Sequence, residues 1–245
     1  MIRVLLTLVL VAAVAIAATA MTSPAAKEDP IVAFARDFSG GDAQIVAAAE
    51  RFVANPPTDV ETIGFHGSER LPPRTRAFQA TVTLLSSSDK LISIEDKFSF
   101  EFIPLLVQRG DIVLADLPPT ARAVFGPLED LEATLEDDAN ARRYRALLWA
   151  DYARGARELE DYLASRGKVL LSIDPVQGDT LIFALVNREV ADKWRDRSLG
   201  AWPEYESGVR SMMWDRYWAY LTYAVPPLAE SQDSGPPPGT PRRRA

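Results

Sequence analysis

Residues 168–187 read Lys-Val-Leu-Leu-Ser-Ile-Asp-Pro-Val-Gln-Gly-Asp-Thr-Leu-Ile-Phe-Ala-Leu-Val-Asn. Two apolar runs, Lys168–Ile173 and Leu181–Val186, enclose the turn-forming segment Asp174–Asp179. Each run is short, rich in β-branched and aromatic side chains, and bounded by Asp, Pro and Gly, which predicts a β-hairpin. Gly178 is expected in the turn with a positive φ. Leu170, Ile182 and Ala184 are expected in the core. With helices predicted on both flanks, the hairpin sets the fold class: α+β, a small, mostly antiparallel sheet packed with several helices.

Immediately upstream, Tyr144, Leu148, Tyr152, Gly155, Leu159 and Tyr162–Leu163 recur at helical spacing and predict a long helix over 139–166, closed by Gly167. Downstream, Asn187 is placed to cap a helix running to Trp194. A last helix is expected over 203–224. Val209, Met213, Tyr217, Tyr220–Leu221 and Ala224 fall on one of its faces, and Trp214 and Trp218 on another.

The amino-terminal half carries clear punctuation. Asp29-Pro30 opens a helix over 30–38 and Asp42 caps another over 43–54, which Asn55-Pro56-Pro57 ends. Residues 55–75 read as loop. Phe78, Ala80, Val82 and Leu84 alternate with Gln79, Thr81 and Thr83, which predicts a strand, although so short a run also fits a helix; with Leu91–Ile94 a strand would make 77–94 a hairpin. Residues 97–109 fit either class, because Phe98, Phe100 and Phe102 alternate while Ser99 is a helix cap. Ile112–Ala115 reads as a short strand, and 127–137 as an acidic helix. The globular domain is expected over 30–225. Its aromatic usage is skewed: all five Trp and all seven Tyr follow residue 143, and all but one Phe precede residue 126. Acidic side chains outnumber basic ones two to one in 30–138 and balance them in 139–225. Subdomains 30–138 and 139–225 would account for this, as would one core of uneven composition.

The chain opens with Arg3 and then Val4–Ala20, which has no charge and ends Ala18-Thr19-Ala20. A basic start, an apolar run and small residues at the exit make a signal-peptide layout. As a helix the run reaches about 25 Å, so residues 1–20 also suit an N-terminal membrane anchor, touching the membrane through residues 4–20. Either arrangement exports the rest of the chain, to the periplasm or to the periplasmic side of the inner membrane. Residues 21–29 read as a polar spacer. The Pro-rich segment 226–245 has few apolar residues and is expected to be disordered, ending in Arg242-Arg243-Arg244.

Composition narrows the chemistry. The chain has 245 residues and no cysteine, which excludes disulfides, thiol nucleophiles and cysteine-bound metals. A single histidine excludes multi-histidine metal sites within one chain. Export without cysteine, and without an N-glycosylation acceptor, fits a bacterial envelope protein. A net charge of −7 argues against nucleic acid as the partner.

Three places carry candidate chemistry. His66, in Gly64-Phe65-His66-Gly67-Ser68-Glu69, is the weak catalytic candidate, since imidazole titrates near neutral pH. Asp174 and Asp179 flank the hairpin turn and are weak candidates for a hard cation, although turns use Asp in any case. Trp214, Tyr217 and Trp218 are the partner-binding candidates, because Trp and Tyr combine a wide apolar body with a polar tip. The acids Glu129, Asp130, Glu132, Glu136, Asp137 and Asp138 read as a solvated face balanced by Arg142, Arg143 and Arg145. No phosphate-binding, dinucleotide-binding, nucleophile-elbow or zinc-protease motif is present, and no cofactor is expected. The expectation is a non-catalytic binding or assembly module of the envelope, with another envelope protein as partner. The alternative is a carboxylate- or His66-dependent hydrolase.

Overall fold

In a computed structural model of the chain, residues 28–64, 70–95, 102–125, 138–174, 180–202, 205–212, 214 and 217 are described. The apolar segment 4–20, His66, the acids 129–137, Gly178, Asp179, Trp218 and the Pro-rich tail lie outside them.

The hairpin forms as its sequence predicts. Strand β2 (Lys168–Asp174) runs antiparallel to β3 (Thr180–Asn187), with Leu171 opposite Ala184 and Ile173 opposite Ile182. β3 pairs on its other side with β1 (Ile92–Glu95), and β2 with β5 (Tyr205–Ser211). β5 then pairs with β4 (Arg197–Trp202). The five-stranded sheet has the order β1-β3-β2-β5-β4, and every neighbouring pair is antiparallel.

Both faces of this sheet are covered, which is why the hairpin strands are continuously apolar instead of alternating. On one face Ile92, Ile94, Leu170, Leu181 and Phe183 join a core with α5 (Phe102–Gln108), α6 (Pro119–Phe125) and the long α7 (Asp138–Ser165). On the other, Leu171, Ile173, Ile182, Ala184, Leu199 and Val209 pack against four helices. These are α1 (Pro30–Ser39), α2 (Ala43–Ala54), α4 (Pro73–Ser87) and α8 (Arg188–Trp194). The three core candidates Leu170, Ile182 and Ala184 are buried. Each core mixes residues from before and after position 139.

Local signals explain most helix ends. The Asp29 carboxylate accepts from the Ile31 amide at 2.8 Å, and that of Asp42 from Gln44 at 2.9 Å. The Asn187 side chain accepts from Val190 at 2.9 Å, fixing the start of α8. α7 stops at Gly167, whose φ of 68° lies in the left-handed region that favours glycine. Glu158 of α7 accepts from the amides of Thr120 and Ala121, both at 3.1 Å, and so caps α6. Gly155 lets Val124 approach, because a Cβ there would sit 3.2 Å from it.

Four expectations are corrected. First, Phe78–Leu84 is not a strand but the middle of α4, and 77–94 is not a hairpin. Phe78, Gln79, Ala80, Thr81 and Val82 are all buried, so this helix has almost no polar face to mark its period. Its hydroxyls are satisfied inside: Thr81 donates to the Ala77 carbonyl at 2.8 Å and Thr83 to that of Ile63 at 2.9 Å. Second, Ile112–Ala115 is not a strand; Leu114–Asp116 is a 3-10 turn. Ile112 is held by the Leu106 carbonyl at 3.4 Å rather than by a neighbouring strand. Third, the last helix does not begin at 203, because Tyr205–Ser211 is β5. Gly208 decides this, since a side chain at that position would run into the Arg197 carbonyl of β4. Fourth, 55–75 is not all loop. It holds the short helix α3 (Val60–Ile63) and the start of α4. Bonds from the Thr62 hydroxyl and amide hold the Asp59 cap of α3 below the ordinary carboxylate pKa.

Candidate functional site: an open half-strand between two helices

β2 is paired unevenly. Against β3 it pairs from Lys168 onward, but against β5 only from Leu171 to Asp174. Among the described residues, Lys168, Val169 and Leu170 therefore have a strand on one side only.

The direction of the unpaired backbone groups follows from one hydrogen bond. The Ser211 amide donates to the Asp196 carboxylate at 3.3 Å, on the β4 side. Backbone direction alternates along a strand, so Arg210 turns toward β2 and meets Ser172 in a bonded pair. Two and four residues back along β2, Leu170 and Lys168 turn their backbone groups the same way; Met212, which follows Ser211, falls opposite Leu170, and no described strand lies opposite Lys168.

At this place lies a cleft of about 430 Å³. One wall is the end of α7, with Glu160, Leu163 and Ala164; the other is α8 with its C-cap Arg195. Lys168–Leu171 form the floor, and Ser211 and Met212 close one end. The cleft occupies the line along which β5 would continue, with a helix above and a helix below.

Its charges are mostly uncommitted. Glu160 accepts from the Trp214 indole at 2.7 Å. Lys168, Arg188 and Arg195 are exposed, and none of them forms an ion pair among the described residues. On the same helix Lys193, by contrast, is paired with Asp37 at 2.6 Å. Arg188, Asp192 and Arg195 recur at helical spacing and face one way. The arrangement offers main-chain donors and acceptors, an apolar strip and an excess of positive charge.

The residues singled out from sequence lie elsewhere. Trp214 and Tyr217 are helical and each 2% exposed, inside the core on the α7 face. The Tyr152 hydroxyl donates to the Trp214 carbonyl at 2.8 Å, and the Trp214 ring stacks near Phe125 at 5.6 Å. Asp174 is buried at the far end of β2, opposite Gly208. Among the described residues no three His, Cys, Asp or Glu gather as a metal group. Also among them, no helix is long and apolar enough to cross a membrane. His66, Asp179 and Trp218 lie outside the described residues. Sequence reasoning missed the cleft, since only the length of the β2–β5 pairing reveals it. Comparisons with protein families, with curated proteins and with solved structures find no match to this chain.

Proposed function

We propose that this chain is an exported protein of the bacterial cell envelope that acts as a non-catalytic binding or assembly module, with the cleft between α7 and α8 as its binding surface. The observation that carries the reading is the cleft itself: apolar lining residues, a strand end with no described strand opposite it, and cations with no described ion-pair partner in one place. Such a combination suits recognition of another chain, where main-chain bonds and charge fix orientation. Export is supported by Arg3 and the apolar run Val4–Ala20 with its small-residue exit. The partner is another envelope protein, and retention of residues 4–20 would add a membrane contact.

Two measurements test this. Residues 1–30 fused to a reporter active only after export should give activity; activity solely from a cytoplasm-dependent reporter contradicts export. A photo-crosslinking residue at Arg195, in cells, should yield a discrete adduct with one envelope protein. The same residue at Glu50 on α2, outside the cleft, should not. No adduct at Arg195, or the same pattern from both positions, contradicts the binding surface.

A further inference from the structure

We infer that the cleft binds a small, free phosphate monoester whose organic part is apolar. This rests on the reading of the cleft as a binding surface and adds a ligand to the partner protein proposed for it.

Room and apolar contact come first. Ser211 and Met212 already close one end of the cleft, and about 430 Å³ remains. That volume suits a small organic ligand, whose sites run from about 300 to 1,000 Å³. The depth of the cleft is apolar. Leu163, Leu170 and Leu171 are buried core residues, and all three line it. The Ser172 hydroxyl donates to the Met212 sulfur at 3.5 Å, which holds Met212 beside them. An alkyl or aromatic body laid there leaves water for an apolar strip.

Charge then selects the head group. Lys168 stands on the floor and Arg188 and Arg195 on the α8 wall, with Asp192 as the lining acid between the two arginines in sequence. The other lining acid, Glu160, is on the α7 wall, where its carboxylate accepts from the Trp214 indole at 2.7 Å. On the floor and the α8 wall three cations therefore meet one carboxylate. A phosphate monoester, with a charge of about −1.5 to −2 at neutral pH, complements that excess better than a monoanion. Guanidinium forks also match phosphate oxygens in geometry. Nearby cations are committed within the fold: Lys193 to Asp37 at 2.6 Å and Arg166 to Asp116 at 2.7 Å. Lys168, Arg188 and Arg195 form no ion pair among the described residues. The chain's net charge of −7 disfavours an anionic bilayer, so the ester is a free molecule and not a lipid head group.

The probe is hexyl phosphate, titrated by calorimetry into the purified chain in the form the cell produces, with NMR to locate it. Saturable binding is expected, with amide shifts concentrated at Leu163, Lys168, Leu170 and Arg195. Each buried methylene multiplies affinity roughly fourfold, so hexyl phosphate should bind at least about tenfold tighter than methyl phosphate. Hexyl sulfate, a monoanion with the same tail, should bind about threefold or more weakly than the phosphate. Arg188→Gln with Arg195→Gln should weaken hexyl phosphate by about tenfold or more. Both positions are exposed, so the double variant stays folded, which circular dichroism checks. The comparison of esters on the unaltered chain does not depend on that variant. No saturable binding, shifts outside the cleft, or an unchanged affinity in the folded double variant overturns the inference. So does equal affinity for methyl phosphate or for hexyl sulfate, or binding to phosphatidic acid vesicles without binding to the soluble ester. If hexyl phosphate fails while Arg195 still gives its discrete adduct, the ligand is wrong and the binding module stands. If hexyl phosphate binds while no adduct forms, the ligand site holds and the protein partner fails.

Discussion

The seam between β2 and β5 has a closed end and an open end, and they are built differently. At the closed end Ile173 is paired on both sides, with Ile182 and Val209, and Asp174 faces Gly208. Ile173 and Val209 are buried among α1, α2, α4 and α8. At the open end Lys168 is exposed and, among the described residues, 168–170 have a paired strand on one side only. The closed end is organised for stability: apolar side chains fill both layers, and a glycine admits a neighbouring carbonyl. The open end has no described strand opposite Lys168 and places the cations Arg188 and Arg195 beside it. Within one strand, the same backbone is enclosed at one end and borders the cleft between α7 and α8 at the other.

Substitutions along the seam should separate the two ends by their cost. Ile173→Ala at the closed end removes a buried side chain from a packed layer. It should cost about 2–5 kcal/mol in urea unfolding. Gly208→Ala puts a Cβ against the Arg197 carbonyl and 3.0 Å from Ser198 Cα, so the β4–β5 pairing must shift. A loss of about 1–3 kcal/mol is expected. At the open end the phase of the backbone matters more than its place. Val169 turns its N–H to β3 and Lys168 turns its N–H to the cleft. Val169→Pro should therefore exceed Lys168→Pro by about 2 kcal/mol, the value of a lost ladder bond with the ring's clash. Equal costs would mean that the inferred phase of β2 is wrong. Arg188→Glu and Arg195→Glu should change stability by less than about 0.5 kcal/mol, since both are exposed and neither forms an ion pair among the described residues.

The contrast also marks what a sequence exposes to reading. The hairpin was legible because both signals are local: apolar runs of strand length and a turn rich in Pro, Gly and Asp. The starts of α1, α2 and α8 were legible through Asp29, Asp42 and Asn187, each of which bonds an amide within three residues. α4 was misread because its environment is uniform. Buried on nearly all sides, it shows no polar face, and Thr75, Thr81 and Thr83 find carbonyl partners instead of water. β5 was misread because Val209 sits at helical spacing from Tyr205 and Tyr217, while the constraint at Gly208 comes from β4 across the seam. The cleft depends on the register of strands far apart in sequence, on where β5 stops, and on two helices contributing walls. Trp214 has the aromatic body of an interface residue, but its indole and carbonyl are engaged by Glu160 and Tyr152 within the fold.

Amide hydrogen exchange along β2, followed residue by residue by NMR in the free protein, addresses the central claim most directly. Ser172 and Leu170 have the same backbone phase, but only Ser172 has β5 opposite it. The open half-strand predicts slow exchange at Val169, Leu171, Ser172 and Ile173, with Leu170 exchanging about a hundredfold faster or more. Protection of Leu170 equal to that of Ser172 would mean that a partner already covers this edge, and would contradict the account.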